Sequence, residues 1–272
     1  MVTRVAVVGA SGRLGSLACT LIEQQSDLAL VARLDSRSDL GEMLGADVVL
    51  DVTAPGVSPT VVDHAVRAGL KVLVGTSGWS EERLRTLRTL LKAHPHSGVV
   101  VVPNFSIGSV LATHFATIAA RYFESIEIVE THHAAKVDSP SGTAMRTAEL
   151  IGHARAELGP VVAPHTDQRA RGQQVSSVPI HSLRLHGAIA RQDVHFGGTG
   201  EVLTLTHETL SPSSYQAGIL LGLRAALATS GLVVGLDALI GLNGSSSVGD
   251  ASRDAVDDAA RDTIGDAAGE PA

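Results

Sequence analysis

Cysteine is almost missing from this chain. Cys19 stands alone in 272 residues, which excludes a disulfide-stapled scaffold and fits a reducing, intracellular setting. Aromatic side chains number only seven, too few for the stacking platforms that hold single-stranded nucleic acid. Positive charge is also short, and the formal net charge is −7. Residues 244–272 carry seven of the acids against two arginines, so the rest of the chain is nearly neutral and offers no basic stripe to a phosphate backbone. DNA and RNA are not expected partners. No long apolar run is present either. The best stretch, 217–242, is interrupted by Arg224 and Asp237 and falls below the ~18–20 residues that a membrane span requires. The run Val5–Ala10 is too short for the core of a signal peptide and soon meets Arg13. Neither membrane insertion nor export is expected, and the chain reads as cytoplasmic. The 28 glycines have no period of three, which excludes a collagen-like repeat.

Short apolar runs separated by helical periodicity are what the sequence has in quantity. With 44% apolar residues, the length suits one large or two modest domains. Strands are expected at 2–8, 28–35, 46–52, 71–76 and 98–104, with helices at 14–24, 58–69 and 80–94 between them. The last helix opens on Ser80 followed by Glu81 and Glu82, an N-cap pattern. Strand alternating with helix predicts an α/β domain with a doubly wound, Rossmann-like parallel sheet. After Asn104 the rhythm changes to a helix near 108–122, a strand at 125–131 and a helix from Ser141 to about Glu157. A loop is expected over 160–177, then segments 177–185, 192–198 and 201–207 that alternate as antiparallel strands do. These make a second, mixed α+β domain. Residues 214–227 are helical again and apolar on more than one side, so they belong somewhere central. The stretch 244–272 is small, acidic and free of aromatics, and reads as a disordered, solubilising tail.

Two motifs carry chemistry. The first, GASGRLG at 9–15, lies between a strand and a helix, where a phosphate-binding turn belongs. Gly9 permits the tight turn, Gly12 lets the backbone approach a pyrophosphate, and Gly15 lets the helix pack close to the strand. Asp35 ends the second strand about 20 residues on, placed to accept from ribose hydroxyls; its bland reading is a solvated turn acid. Arg13 and Arg37 are suited to a 2′-phosphate, or are ordinary surface charges. The second motif is ETHHAAKVDSPSGTAMRTAEL at 130–150. Two histidines end a strand, a lysine follows, and Ser141, Gly142 and Thr143 open a helix behind Pro140. Backbone N–H groups at Gly142 and Thr143 suit a carboxylate, while Ser141 either adds a hydroxyl or caps the helix. Lys136 is one of three lysines beside eighteen arginines. Its ammonium and the adjacent imidazoles suit anion binding and proton transfer. His132 and His133, as strand neighbours, point opposite ways and should have different roles. No thiol or acidic ligand is spaced to join them around zinc, so no metal is expected.

From about residue 4 to 242 the chain resembles the 4-hydroxy-tetrahydrodipicolinate reductases, also called dihydrodipicolinate reductases. The resemblance rests on VAVVGASGRLG, DVTAP, VGTSGW, VPNFSIG, ETHHAAKVDSPSGTA, RARG with VPIHSLRLHG, and FGGTGEVLTLTH. It implies an NADH- or NADPH-dependent reductase of the diaminopimelate route to lysine, acting on a small cyclic imine with two carboxylates. It assigns Gly9, Ala10, Ser11, Gly12, Arg13, Leu14 and Asp35 to the dinucleotide. Gly75, Thr76, Ser77, Val102, Pro103, Asn104 and Phe105 would line its nicotinamide side. His132 becomes the general acid or its relay, Lys136 the second proton donor and carboxylate partner. His133, Ser141, Gly142 and Thr143 would grip the substrate. It also implies a homotetramer, with 1–105 and 213–243 as the dinucleotide-binding domain and 106–212 for substrate binding and oligomerisation. Three places depart from the family pattern: Pro212 stands where an arginine is frequent, Trp79 where phenylalanine is usual, and Ala134 and Ala135 where bulkier or polar residues are common. A paralogue reducing a related cyclic imine, and a dinucleotide-binding redox sensor that turns nothing over, are the competing readings. The sensor leaves the His-Lys cluster without a purpose. A semialdehyde dehydrogenase would need a nucleophilic thiol, and Cys19 is wrongly placed on the first helix.

Overall fold

The computed structural model describes residues 2–242, so the acidic stretch 244–272 lies outside the described residues. The chain opens with β1 (Thr3–Val8), α1 (Arg13–Glu23) and β2 (Leu28–Leu34). It continues with β3 (Val48–Asp51), α2 (Ser58–Arg67), β4 (Lys71–Val74), α3 (Glu81–Ala93) and β5 (Gly98–Val101). Together with β11 (Gly231–Val234), these strands form a six-stranded sheet in the order β11-β5-β4-β3-β1-β2, and every pairing in it is parallel.

Side chains alternate across that sheet, and each face meets its own pair of helices. Val5, Val7, Val48, Leu50 and Val100 pack under α1 and under α6 (Gln216–Ala228). Ala6, Val8, Val49, Val72 and Val101 pack under α2 and α3 through Val62, Val66, Leu84 and Leu87. The sheet is therefore doubly wound, as the strand and helix periodicities predict. Helix α6 returns from the second half of the chain, and Ile219, Leu223 and Ala226 place it centrally in the first core. The edge strand β11 and the short helix α7 (Leu236–Leu239) are additions to the expected pattern. Four residues, GLVV, are too few to show a period.

The second sheet has the order β10-β9-β6-β8-β7, formed by β6 (Ser125–His133), β7 (Gln173–Val175), β8 (Val178–Leu185), β9 (Ala190–Gly198) and β10 (Glu201–Thr209). Helices α4 (Ile107–Ala119) and α5 (Gly142–Ala154) cover one face. The core there includes Ile126, Ile128, Ile151, Ile180, Val194 and Phe196. Leu183, Leu185 and Val202 stand exposed on this sheet. Two expectations need correction. Strand β8 alternates as an antiparallel strand would and pairs so with β7, yet on its other side it runs parallel to β6. The connection from His133 to Val178 contains α5 and is long enough for a crossover, and alternation alone does not fix strand direction. Residues 173–175, inside the expected loop, pair with β8 as β7. Among the described residues no helix is long and apolar enough to cross a membrane.

Candidate active site

The glycine turn is built as its spacing requires. Gly9 sits at φ +90°, a conformation costly for any residue with a side chain, and a Cβ there would lie 2.6 Å from the Val52 carbonyl oxygen. A Cβ on Gly15 would come within 2.1 Å of the Gly9 oxygen, which is the close helix-to-strand packing the motif demands. The amides of Gly9 and Ala10 donate to the Leu34 carbonyl at 2.9 and 3.0 Å, tying the turn to the end of β2 and to Asp35. Gly12 is the N-cap of α1 and brings no side-chain cap. The first-turn amides of α1 therefore lack the partner that Ser80, Ser106 and Ser141 give to α3, α4 and α5. An open helix start with glycine at its cap fits the pyrophosphate of a dinucleotide.

Facing this turn is a cleft of about 890 Å³. Thirteen of the residues singled out from sequence line it: Ser11, Gly12, Arg13, Leu14, Gly75, Pro103, Asn104, Phe105, His132, His133, Lys136, Ser141 and Thr143. The other candidates do not. Asp35 lies just past β2, where its carboxylate accepts from the Arg37 amide at 2.8 Å and from its guanidinium at 3.2 Å. That contact holds the carboxyl below its ordinary range, the backbone bond first. Gly9 and Ala10 are spent on the turn itself, and Thr76 is buried, with its hydroxyl donating to the Asp51 carbonyl. Ser77 and Gly142 are exposed, and the Val102 side chain is in the first core.

His132 is the most constrained group in the cleft. Its Nδ1 is 2.6 Å from Glu130 Oε2. Glu130 is fully buried, and Arg184 donates to both of its oxygens at 2.9 Å. Burial pushes the Glu130 carboxyl up, but the bonds from His132, Arg184 and Ser182 outweigh it and hold the group at about 2. An ionised carboxylate only accepts, so Nδ1 carries a proton and Nε2 is the nitrogen left for a ligand. Lys136 lines the cleft with its amine 2.6 Å from Asp138 Oδ1, an exposed partner whose carboxyl the ammonium holds low. Ser141 turns out to be the helix cap: its hydroxyl accepts from the Ala144 amide at 3.2 Å, and its own amide donates to Glu130 at 3.1 Å.

Several groups in or beside the cleft escaped the sequence. Arg184 reaches Glu130 because β8 pairs with β6 in a register that sets it opposite His132, 52 positions earlier. Arg191, Gln192 and His207 arrive on β9 and β10. His207 Nε2 lies 3.1 Å from the Ser106 hydroxyl, and burial pushes the imidazole down. Ser106 is held in turn by Asn104, whose Oδ1 accepts from its amide at 2.9 Å. Among the described residues, the Lys, Arg and His side chains that line the cleft are Arg13, His132, His133, Lys136, Arg191 and His207, and no carboxylate lines it. Glu130 alone had a legible signal. It continues the inward face of β6 after Ile126 and Ile128, so a carboxylate occupies a core position.

A doubly wound sheet with an open glycine turn, and a second sheet that brings a carboxylate-bound histidine and a basic cleft to it, define a two-domain NAD(P)-dependent oxidoreductase. The family profile described as dihydrodipicolinate reductase, N-terminus, matches residues 3–105, and its C-terminus counterpart matches residues 108–240. The chain belongs to the dihydrodipicolinate reductase family. It is 60% identical to the 4-hydroxy-tetrahydrodipicolinate reductase of Clavibacter michiganensis subsp. michiganensis over 245 residues, 90% of this chain and 88% of that protein. It is 49% identical to the Streptomyces griseus enzyme of the same name over 247 residues, 88% of this chain and 98% of that one. A solved structure of a dipicolinate-bound dihydrodipicolinate reductase from Paenisporosarcina sp. TG-14 matches with a TM-score of 0.76 at 32% identity, covering 88% of this chain and 99% of that chain. A scyllo-inositol dehydrogenase from Lactobacillus casei shares the fold alone, with a TM-score of 0.57 at 13% identity over 88% of this chain and 92% of its own.

Proposed function

We propose that the protein reduces 4-hydroxy-tetrahydrodipicolinate to tetrahydrodipicolinate with NADH or NADPH, in the diaminopimelate route to lysine. The observation that carries this reading is the cleft that starts at an uncapped helix and is lined by basic groups with no carboxylate among the described residues. Such a lining suits a pyrophosphate at one end and a doubly negative ring at the other.

Ser11, Gly12, Arg13 and Leu14 hold the dinucleotide phosphates on the turn that Gly9 and Ala10 shape, and Asp35 with Arg37, just past β2, serves the adenosine ribose. Gly75, Thr76, Ser77, Val102, Pro103, Asn104 and Phe105 shape the nicotinamide side at the strand ends. When bound, the dinucleotide supplies the hydride, for which the chain has no redox group of its own. Lys136, His133, Ser141, Gly142 and Thr143 seat the two ring carboxylates, with the first-turn amides of α5 adding fixed donors. The 4-hydroxyl leaves as water to give a conjugated ring; a ring carbon that then gains a hydride leaves electron density on the conjugated nitrogen system, and that density takes up a proton. With its Nδ1–H held on Glu130, His132 takes up a second proton at Nε2 and gives that proton to the ring, with Lys136 as the second donor. Residues 1–105 and 213–243 serve the dinucleotide, and 106–212 the substrate. The open side of the second sheet, with Leu183, Leu185 and Val202 exposed, joins copies of the chain into a homotetramer. The enzyme works in the cytoplasm.

Steady-state oxidation of NADH and NADPH with freshly formed substrate tests the reaction and reports which nicotinamide is preferred. Lys136→Ala is expected to bind the dinucleotide normally and to lose about 100-fold or more in turnover. Undiminished turnover in that variant removes Lys136 from the mechanism, and no oxidation of either nicotinamide by the native protein removes the activity.

A further inference from the structure

Glu130 and Arg184 are an expensive arrangement to keep for stability alone. A buried ion pair contributes little net stability compared with apolar residues of the same size, and β6 already fills the neighbouring inward positions with Ile126 and Ile128. Beyond bonds to Leu183 and Ser182 on β8, the contacts of the pair lead to the cleft. Glu130 Oε2 accepts from His132 Nδ1 at 2.6 Å. Its Oε1 accepts from the Ser141 amide at the start of α5, 3.1 Å away. Arg184 grips both carboxylate oxygens at 2.9 Å and donates a further bond, 2.6 Å long, to the Asp138 carbonyl. Asp138 in turn holds the Lys136 amine at 2.6 Å. One ion pair, its carboxylate fully buried and its guanidinium partly so, therefore touches the histidine, the lysine-bearing turn and the helix start that come together in the cleft.

We infer that Glu130 and Arg184 are positioning residues that keep a proton on His132 Nδ1, turn its Nε2 to the cleft to take up and give the transferred proton, and fix the Lys136 turn and the start of α5 in the same register. The inference rests on the reading of His132 as the proton donor. The carboxylate forces the tautomer, because it has no proton to give. The guanidinium fork fixes the carboxylate in its plane, which a lysine's point charge would not do.

Glu130→Gln and the double variant Glu130→Gln, Arg184→Gln test it, the second avoiding a buried guanidinium without its counter-charge. Three readouts are taken: turnover, dinucleotide affinity, and the ring nitrogen spectrum of His132 in histidine-labelled protein. A folded variant is expected to lose about 100-fold in kcat, to keep its dinucleotide affinity within about twofold, and to show no single Nδ1–H form of His132. Arg184→Lys is expected to keep the fold and recover only part of kcat. Turnover close to the native value, or an unchanged Nδ1–H signal in a folded variant, overturns the inference. Loss of folding in both glutamine variants assigns the pair to stability and also overturns it. Because the ring spectrum needs no turnover, a native protein inactive on the proposed substrate would refute the activity and leave the positioning question decided by the spectrum.

Discussion

At the scale of single residues, Glu130 links chemistry to stability. Its carboxyl is held at about 2 in the folded protein, against an ordinary value of 4.5. A depressed folded-state value means that the unfolded chain binds the proton first as the pH falls. The contribution is fully present above about pH 4.5 and is lost between there and about pH 2. It is on the order of 3 kcal/mol, at about 1.4 kcal/mol for each tenfold change in proton affinity. Acid unfolding followed by circular dichroism is expected to show a steep loss of stability across that window, and Glu130→Gln to flatten it. Trp79, the departure from the family's usual phenylalanine, also has an account here. Its Nε1 donates to the Ser58 hydroxyl at 3.0 Å, and Ser58 in turn donates to the buried Asp51 carboxylate, a contact phenylalanine cannot make. Pro212 stands at the first position of a short helical turn, Pro212–Tyr215, where its fixed φ suits it. Nothing in the structure explains Ala134 and Ala135.

At the scale of elements, the glycine turn depends on backbone contact rather than on any side chain. Gly15→Ala would drive a Cβ into the Gly9 carbonyl oxygen, 2.1 Å away, and backbone cannot rotate aside as a side chain can. The variant is expected to lose about 1–3 kcal/mol of stability and to weaken dinucleotide binding at least tenfold, read by urea unfolding and by fluorescence titration with NADH. This turn, like the five strands around it, was legible because strand, glycine spacing and helix are contiguous in sequence. The stretch from Glu130 to Thr143 was legible for the same reason. Arg184, Arg191 and His207 were not, because they reach the cleft or its buried carboxylate through strand pairings that span many residues. The direction of β8 is hidden on the same ground: local alternation records which face is buried and says nothing of which neighbour a strand joins. Ser141 shows the reverse case, where the plain reading of a serine ahead of a helix, a cap, is what the structure holds.

At the scale of the whole molecule, charge is segregated. The chain carries a formal −7, yet among the described residues Arg13, Lys136, Arg191 and three histidines line the cleft, and the carboxylates paired with Lys136, Arg191 and His132, which are Asp138, Asp193 and Glu130, are not part of its lining. A lining that presents cationic groups to the cleft draws anions in, and dissolved salt weakens that field over about 8–10 Å. KM for the dicarboxylate substrate and the dissociation constant of the dinucleotide are both expected to rise with sodium chloride between about 0.05 and 0.5 M, roughly three- to tenfold. Parallel steady-state assays and binding titrations check this, and a salt-independent KM would place the substrate outside the basic cleft.

Cys19 faces inward from α1 at 5% exposure, and burial pushes its thiol above the ordinary range. The sulfur is therefore sealed from reagents until that helix lifts off the sheet. Each molecule then carries one shielded reporter, and the pace at which a chromogenic disulfide consumes it records how often the first lobe opens. Whatever clasps the head of α1 slows that pace in proportion to its occupancy, so a cofactor's grip can be timed with no enzymatic assay at all.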